Sequence, residues 1–142
     1  MRTSGVLMPI SSLPSPYGIG TMGKSARKFV DFLDKSGQTY WQILPICPTS
    51  YGDSPYQSFS TFAGNPYFIS LDELIEEGVL TRAECEKVNW GKAKGSIDYE
   101  KIYKGRYPLL RKAYERSKIS ENPEYQKFVN KNSWWLSDYA LF

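Results

Sequence analysis

The apolar residues of the first third of the chain predict a strand, a helix and a second strand. An apolar run at residues 5–10 is flanked by serine and proline, which indicates a buried strand. Apolar residues spaced three and four apart then predict a helical face, formed by Ala26, Phe29, Val30 and Leu33. Gly37 is well placed to end that helix, and a second apolar run at residues 40–44 stops at Pro45. This order is typical of the βαβ unit of a parallel sheet.

The loops that follow the two strands are expected at the sheet edge where α/β proteins build their sites. Residues 45–67 show neither helical nor strand periodicity. Loops of this length usually have a function or are disordered, and the many tyrosine and phenylalanine residues argue against disorder. The segment after the second strand is therefore the first candidate for a functional site.

Beyond residue 67 the pattern becomes helical. Helix starts are predicted at Ser70, Thr81, Asn122 and Ser133, each of which can cap a first turn. Residues 99–118 also have a helical composition, and Pro108 is expected to break this helix or to begin a new first turn.

Composition narrows the possible functions. A chain of 142 residues corresponds to about one domain, short of the roughly 250 residues of a complete β/α barrel. The net charge of +3 does not indicate nucleic-acid or membrane binding, and no apolar stretch is long enough to span a membrane.

The chain lacks histidine, which excludes a histidine general base and a His/Cys metal site within it. No export signal is recognisable, so we expect a cytoplasmic protein in which Cys47 and Cys85 are free thiols.

The loop after the second strand combines short polar side chains with aromatic rings. The polar residues are Asp53, Ser54, Gln57, Ser58 and Ser60, and the aromatic residues are Tyr51, Tyr56, Phe59 and Phe62. Such a set can donate to and accept from sugar hydroxyls while its rings lie against the apolar face of a pyranose. It can equally form a structural loop whose polar groups bond to its own backbone. Composition alone leaves both interpretations open.

Three ordered segments resemble the amylomaltase family, the disproportionating 4-α-glucanotransferases of glycoside hydrolase family 77. They are SGVLMPISSLPSPYGIG at residues 4–20, QTYWQILP at residues 38–45 and GDSPYQSFSTFAGNPY at residues 52–67. The resemblance runs in register from residue 4 to about residue 72, and more loosely to the end of the chain. The chain is thereby similar to the N-terminal portion of such an enzyme.

This resemblance implies an α/β fold, the N-terminal part of a TIM (β/α)8 barrel with a helical insertion after the second strand. Residues 1–72 would form the first βαβ unit with the substrate-cleft loop at residues 46–67, and residues 73–142 the helical insertion. The activity implied is the transfer of α-1,4-glucan segments between maltodextrins by a retaining double displacement, which requires two carboxyl groups close together. In the family these groups come from later strands, so no catalytic residue is expected here and the chain alone should be inactive.

The resemblance also suggests substrate contacts. Tyr56 matches a tyrosine that stacks under the sugar at the cleavage site, and Ser54 matches a serine of the substrate cleft. Tyr51 matches an aromatic residue that holds glucan at a remote site in some members. Asp53 is interpreted as a turn residue or orienter within the same loop. The implied partners are maltooligosaccharides, and neither a metal nor an organic cofactor is implied.

Two other functions are compatible with parts of the sequence. A free-standing glucan-binding module would keep Tyr56 and the cleft loop without any catalysis. Alternatively, the basic stretch at residues 87–118 could bind single-stranded nucleic acid by charge and stacking, because it also carries Tyr99, Tyr103, Tyr107 and Tyr114. The same stretch also fits a solvated helix with a tyrosine-rich inner face. For the tryptophans Trp41, Trp134 and Trp135, core packing is favoured over a role as sugar platforms.

Overall fold

The computed structural model describes residues 2–91 and 95–141, and it confirms the parallel pairing of the first two strands. Strand β1 (Gly5–Leu7) lies beside β2 (Tyr40–Gln42), with Gly5 opposite Tyr40 and Leu7 opposite Gln42. Both strands are shorter than the apolar runs that predicted them. Pro9 has no amide hydrogen to extend the ladder, and the chain turns there into a short 3-10 helix at Ile10–Ser12.

Helix α1 (Lys24–Lys35) connects the two strands, as the apolar pattern predicted. It buries Ala26 and Leu33. Its end is set by Gly37, whose φ of 67° lies in the left-handed region that a side chain disfavours. The Gly37 amide donates to the Asp34 carbonyl at 2.9 Å and the Gln38 amide donates to the Leu33 carbonyl at 2.9 Å. These two bonds satisfy carbonyls that the end of the helix would otherwise leave unpaired.

Five further α-helices follow in the part of the chain that the structure describes, and the caps predicted from the sequence start three of them. They are α2 (Leu71–Glu76), α3 (Arg82–Glu86), α4 (Tyr99–Ser117), α5 (Pro123–Lys131) and α6 (Ser133–Leu141). Thr81 and Glu84 form a complete capping box at α3, and the Asn122 side chain caps α5. The Ser70 side chain caps α2 by accepting a hydrogen bond from the Glu73 amide. The capping box is incomplete, because the Glu73 carboxylate bonds to Arg27 and not to the backbone amide of Ser70.

The expectation that Pro108 breaks the helix was wrong, since α4 runs through it from Tyr99 to Ser117. Pro108 cannot donate a hydrogen bond to the preceding turn, which is unfavourable inside a helix. The helix nevertheless buries Ile102 and Leu109 on either side of the proline, and Ala113 one turn further on. Tertiary burial along this face offsets the lost bond, as is usual for helices in proteins.

The core lies mainly between the helices, and the loop after β1 joins it to the sheet. Leu71, Cys85 and Leu109 pack together with Tyr17, which comes from that loop. The Tyr17 hydroxyl donates to the Asp72 carboxylate at 2.9 Å. A second cluster covers the sheet with Ile10, Leu13 and Ala26. The helical part is therefore held close to the ends of the two strands.

Both cysteines are free thiols, in agreement with the sequence-based expectation. Cys85 is fully buried, whereas Cys47 is only half-buried and its thiol donates to the Thr61 carbonyl. Over residues 2–91 and 95–141, none of the helices has both the length and the apolar character needed to cross a membrane.

Candidate functional site

The loop that follows β2 folds back on itself between residues 49 and 58. Thr49 and Ser58 form an isolated antiparallel bridge, and the Ser50 amide donates to the Gln57 carbonyl at 3.1 Å. At the tip, Asp53 adopts a left-handed conformation with φ of 55°, and its amide donates to the Ser50 carbonyl at 3.0 Å. Aspartate tolerates this conformation better than most residues, which explains its place in the turn.

One side of this loop faces helix α4 across an open groove of about 710 Å³. We call it the tyrosine groove. The loop contributes Thr49, Ser50, Tyr51, Gly52, Asp53 and Phe59, the following 3-10 turn contributes Tyr67, and α4 contributes Tyr99, Glu100 and Tyr103. The groove thus combines the segment after β2 with a helix that begins some 40 residues later in the sequence.

A buried tyrosine contacts the aromatic side chains of α4. The ring of Tyr67 lies 6.3 Å from that of Tyr99 and 5.9 Å from that of Tyr107, centroid to centroid. Tyr103 and Tyr107 are 5.0 Å apart. Residues four apart lie on the same face of a helix, so α4 presents these rings together. Their exposed faces provide an apolar surface edged by phenolic hydroxyls.

The electrostatics of the groove favour neutral hydroxyl groups beside the carboxylates of Asp53 and Glu100. Burial, with smaller contributions from Tyr107 and Asp53, raises the pKa of Tyr67 to about 12. Burial and the charge of Asp53 also raise the pKa of Tyr99. Both phenols therefore keep their protons at neutral pH and can donate hydrogen bonds. Together with the Asp53 acceptor, these donors suit an uncharged, polyhydroxylated ligand with flat apolar faces.

The structure separates the four site residues expected from the sequence into two pairs. Tyr51 and Asp53 line the tyrosine groove, whereas Ser54 and Tyr56 are not among its lining residues. The Ser54 hydroxyl accepts from the Tyr56 amide at 3.4 Å, and the Tyr56 side chain is 75% exposed. The second pair thus lies on the adjoining turn of the same loop.

Sequence reasoning missed the contribution of Tyr67, Tyr99 and Tyr103 to the site. A signal was present, because the tyrosines of α4 recur at intervals of four residues and share one face. That signal indicates a helix face, but it does not say what the face is turned towards. Only the packing of α4 beside the loop after β2 brings the two sets of side chains together.

Trp41 packs against the cluster that covers the sheet, as expected. Trp41 lies 5.0 Å from Phe29, and its Nε1 donates to the Met8 carbonyl at 2.8 Å. The core packing expected for Trp134 and Trp135 was wrong, because α6 has no buried residue and Trp134 is 65% exposed. Trp134 and Trp135 on α6 contact Phe62 at 4.7 and 5.7 Å between ring centroids. The last helix is thereby attached to the second half of the loop that forms the groove.

The positive charge of the stretch at residues 87–118 is compensated in part by nearby carboxylates. Its ion pairs join Lys101 to Asp98, Lys104 to Glu100, Arg111 to Glu115, and both Lys112 and Arg116 to Glu84. Because these basic side chains already have acidic partners, they offer little net charge for an anionic polymer.

A family model and several known proteins are similar to this chain. The family model described as 4-alpha-glucanotransferase, of glycoside hydrolase family 77, matches residues 8–142. The 4-alpha-glucanotransferase of Streptococcus pneumoniae is 54% identical over 142 residues, which is 99% of this chain and 28% of that protein. That of Thermus thermophilus is 45% identical over 145 residues, with the same two coverages.

A solved structure agrees with these relatives. The amylomaltase from Streptococcus agalactiae in complex with acarbose superimposes with a TM-score of 0.85 at 40% identity, covering 94% of this chain and 28% of that one. The chain therefore spans a little over a quarter of the length of the relatives it matches.

Proposed function

This chain belongs to the 4-alpha-glucanotransferase family, and we propose that it is part of an enzyme that transfers α-1,4-glucan segments between maltodextrins. Its part in that reaction is to bind the donor or acceptor glucan. The nucleophile and the acid/base carboxyl of a retaining double displacement come from outside these residues. We also propose a cytoplasmic location, in line with the sequence-based expectation.

The observation that carries this proposal is the tyrosine groove. The rings of Tyr51, Tyr99 and Tyr103 line it together with the Asp53 carboxylate. Aromatic faces can stack on the C–H surface of glucose units, and phenol and carboxylate groups can bond to their hydroxyls. The related amylomaltase of known structure is in complex with acarbose, which supports maltooligosaccharides as the ligand class.

We assign the two pairs of loop residues to two stretches of one bound glucan. Tyr51 and Asp53 contact the part that lies in the tyrosine groove. Tyr56, with its largely exposed ring, stacks under the sugar next to the scissile bond, and Ser54 bonds to the same unit. In this arrangement the loop at residues 46–67 is the substrate-cleft loop and orients the glucan across its tip.

We further propose that residues 1–72 are the first βαβ unit of a TIM barrel and that residues 73–142 are a helical insertion. The parallel pairing of β1 and β2 supports this arrangement. Large apolar side chains on the two strands are exposed, with Leu7 at 56% and Tyr40 at 61%. Further barrel strands and helices would cover them and remove the open sheet edges.

The test uses the complete enzyme that contains this segment, incubated with maltotriose. We expect release of glucose and formation of longer maltodextrins, measured by chromatography. Tyr103→Ala should weaken the binding of maltoheptaose, whereas Tyr114→Ala removes a tyrosine of the same helix that does not line the groove and should bind normally. Equal binding by the two variants would exclude the groove as the glucan site. Binding without any transfer would instead support the free-standing glucan-binding module.

A further inference from the structure

Arg106 is the largest side chain that the structure buries completely. It lies on α4 between the groove residue Tyr103 and Tyr107, and its Nη2 donates to the backbone carbonyl of Ile69. Within residues 2–91 and 95–141, its Nε and Nη1 have no hydrogen-bond acceptor, and it forms no ion pair. A buried cation thus makes a single hydrogen bond.

Such a residue is unfavourable for stability. Burial lowers the pKa of the Arg106 guanidinium to about 10. The titratable groups that act on it most are the Cys85 thiol and the Tyr67 phenol, and burial raises the pKa of both, so neither carries a negative charge at neutral pH. Burying a charge without an opposite charge or a full set of hydrogen bonds is costly. An apolar side chain of similar length would fill the same space without that cost.

The hydrogen bond from Arg106 to Ile69 joins α4 to the backbone two residues after the groove residue Tyr67. Ile69 follows the 3-10 turn at Pro66–Phe68, which carries Tyr67. The same turn is held by the Asn65 side chain, which accepts from the Tyr67 amide at 2.9 Å, and by the Met22 amide, which donates to the Phe68 carbonyl at 3.0 Å. The hydrogen bond from Arg106 links this turn to α4, and α4 forms the wall of the groove that faces the loop after β2.

We propose that Arg106 is a positioning residue that fixes Tyr67 relative to Tyr99 and Tyr103, and so sets the shape of the tyrosine groove for a glucan chain. The inference depends on the proposed function for its ligand. It assigns to Arg106 a role in glucan affinity and none in the chemical step or in overall stability.

The test compares Arg106→Met and Arg106→Lys in the complete enzyme. Arg106→Met fills the space but cannot donate to Ile69, so the turn that carries Tyr67 is no longer linked to α4. The KM for maltodextrins should rise about threefold to tenfold, no more than the loss of one ordinary hydrogen bond to the glucan would cause. The kcat should stay near the wild-type value and the melting temperature should not fall. Arg106→Lys keeps a cationic donor and should restore most of the lost affinity. Arg111→Met is the matched control, because it makes the same change on the exposed side of α4, where Arg111 pairs with Glu115.

Hydrogen exchange provides a readout that does not require activity. In Arg106→Met, the Phe68 and Ile69 amides, which bond to the Asn65 and Pro66 carbonyls, should exchange faster than in the wild type and in Arg111→Met. If the wild-type enzyme transfers no glucan, the proposed function fails, and the exchange rates still test the positioning role. An unchanged KM with unchanged exchange would overturn the inference. So would an Arg106→Met variant that fails to fold or melts earlier without rescue by lysine, since the role would then be structural.

Discussion

The substitution Tyr56→Ala separates substrate stacking from fold stability. The Tyr56 side chain is 75% exposed, so its removal should change the free energy of unfolding by no more than about 0.5 kcal/mol. In the proposed enzyme the same ring stacks on a glucose unit. Stacking of bases on aromatic side chains is worth about 1–3 kcal/mol, and the same scale for a sugar predicts a loss of roughly five- to 150-fold in kcat/KM.

The assay follows glucose release from maltotriose by the complete enzyme, together with thermal unfolding of each variant. Tyr56→Phe keeps the stacking face and should lose much less activity than Tyr56→Ala. The control is Tyr114→Ala, which removes another exposed tyrosine, on α4 and outside the groove. Full activity of Tyr56→Ala, or a matching loss in Tyr114→Ala, would refute the stacking argument. A large fall in melting temperature would show instead that the ring supports the fold.

Three other outcomes are expected. The isolated 142-residue chain should form no glucose or longer maltodextrins from maltotriose. A retaining reaction needs two carboxyl groups about 5 Å apart, and we assign both of them to other strands. Product formation above that of a Tyr56→Ala control would contradict this prediction. Alkylation of denatured, unreduced protein should label both Cys47 and Cys85 by mass spectrometry, since both are free thiols, and an unlabelled pair would contradict it. Hydrogen bonds from Arg116, Thr81 and Lys112 hold the pKa of Glu84 well below its usual range. This carboxylate therefore stabilises the fold above the ordinary glutamate pKa of about 4.3, and its contribution is lost as the pH falls towards the lowered value. Glu84→Gln should weaken the acid dependence of urea unfolding, and an unchanged dependence would count against the Glu84 network.

Local features of the chain could be predicted from the sequence because their causes lie within a few residues. The apolar spacing of α1, its end at Gly37 and the caps at Ser70, Thr81 and Asn122 depend on neighbouring side chains and backbone groups. The ordered motifs around the two strands are long enough to indicate the family by themselves. The parallel pairing of β1 with β2 followed from the strand–helix–strand order.

Other features depend on segments that lie far apart in the chain, and only the tertiary structure decided them. Pro108 remains inside α4 because the helix buries one face against the core, which no local pattern reveals. The tyrosine groove exists because α4 packs beside the loop after β2, bringing Tyr51 and Tyr103 to one cavity. The complete burial of Arg106 has the same origin. Local propensities determine where helices begin and end, whereas the ligand surface arises from packing between distant parts of the chain.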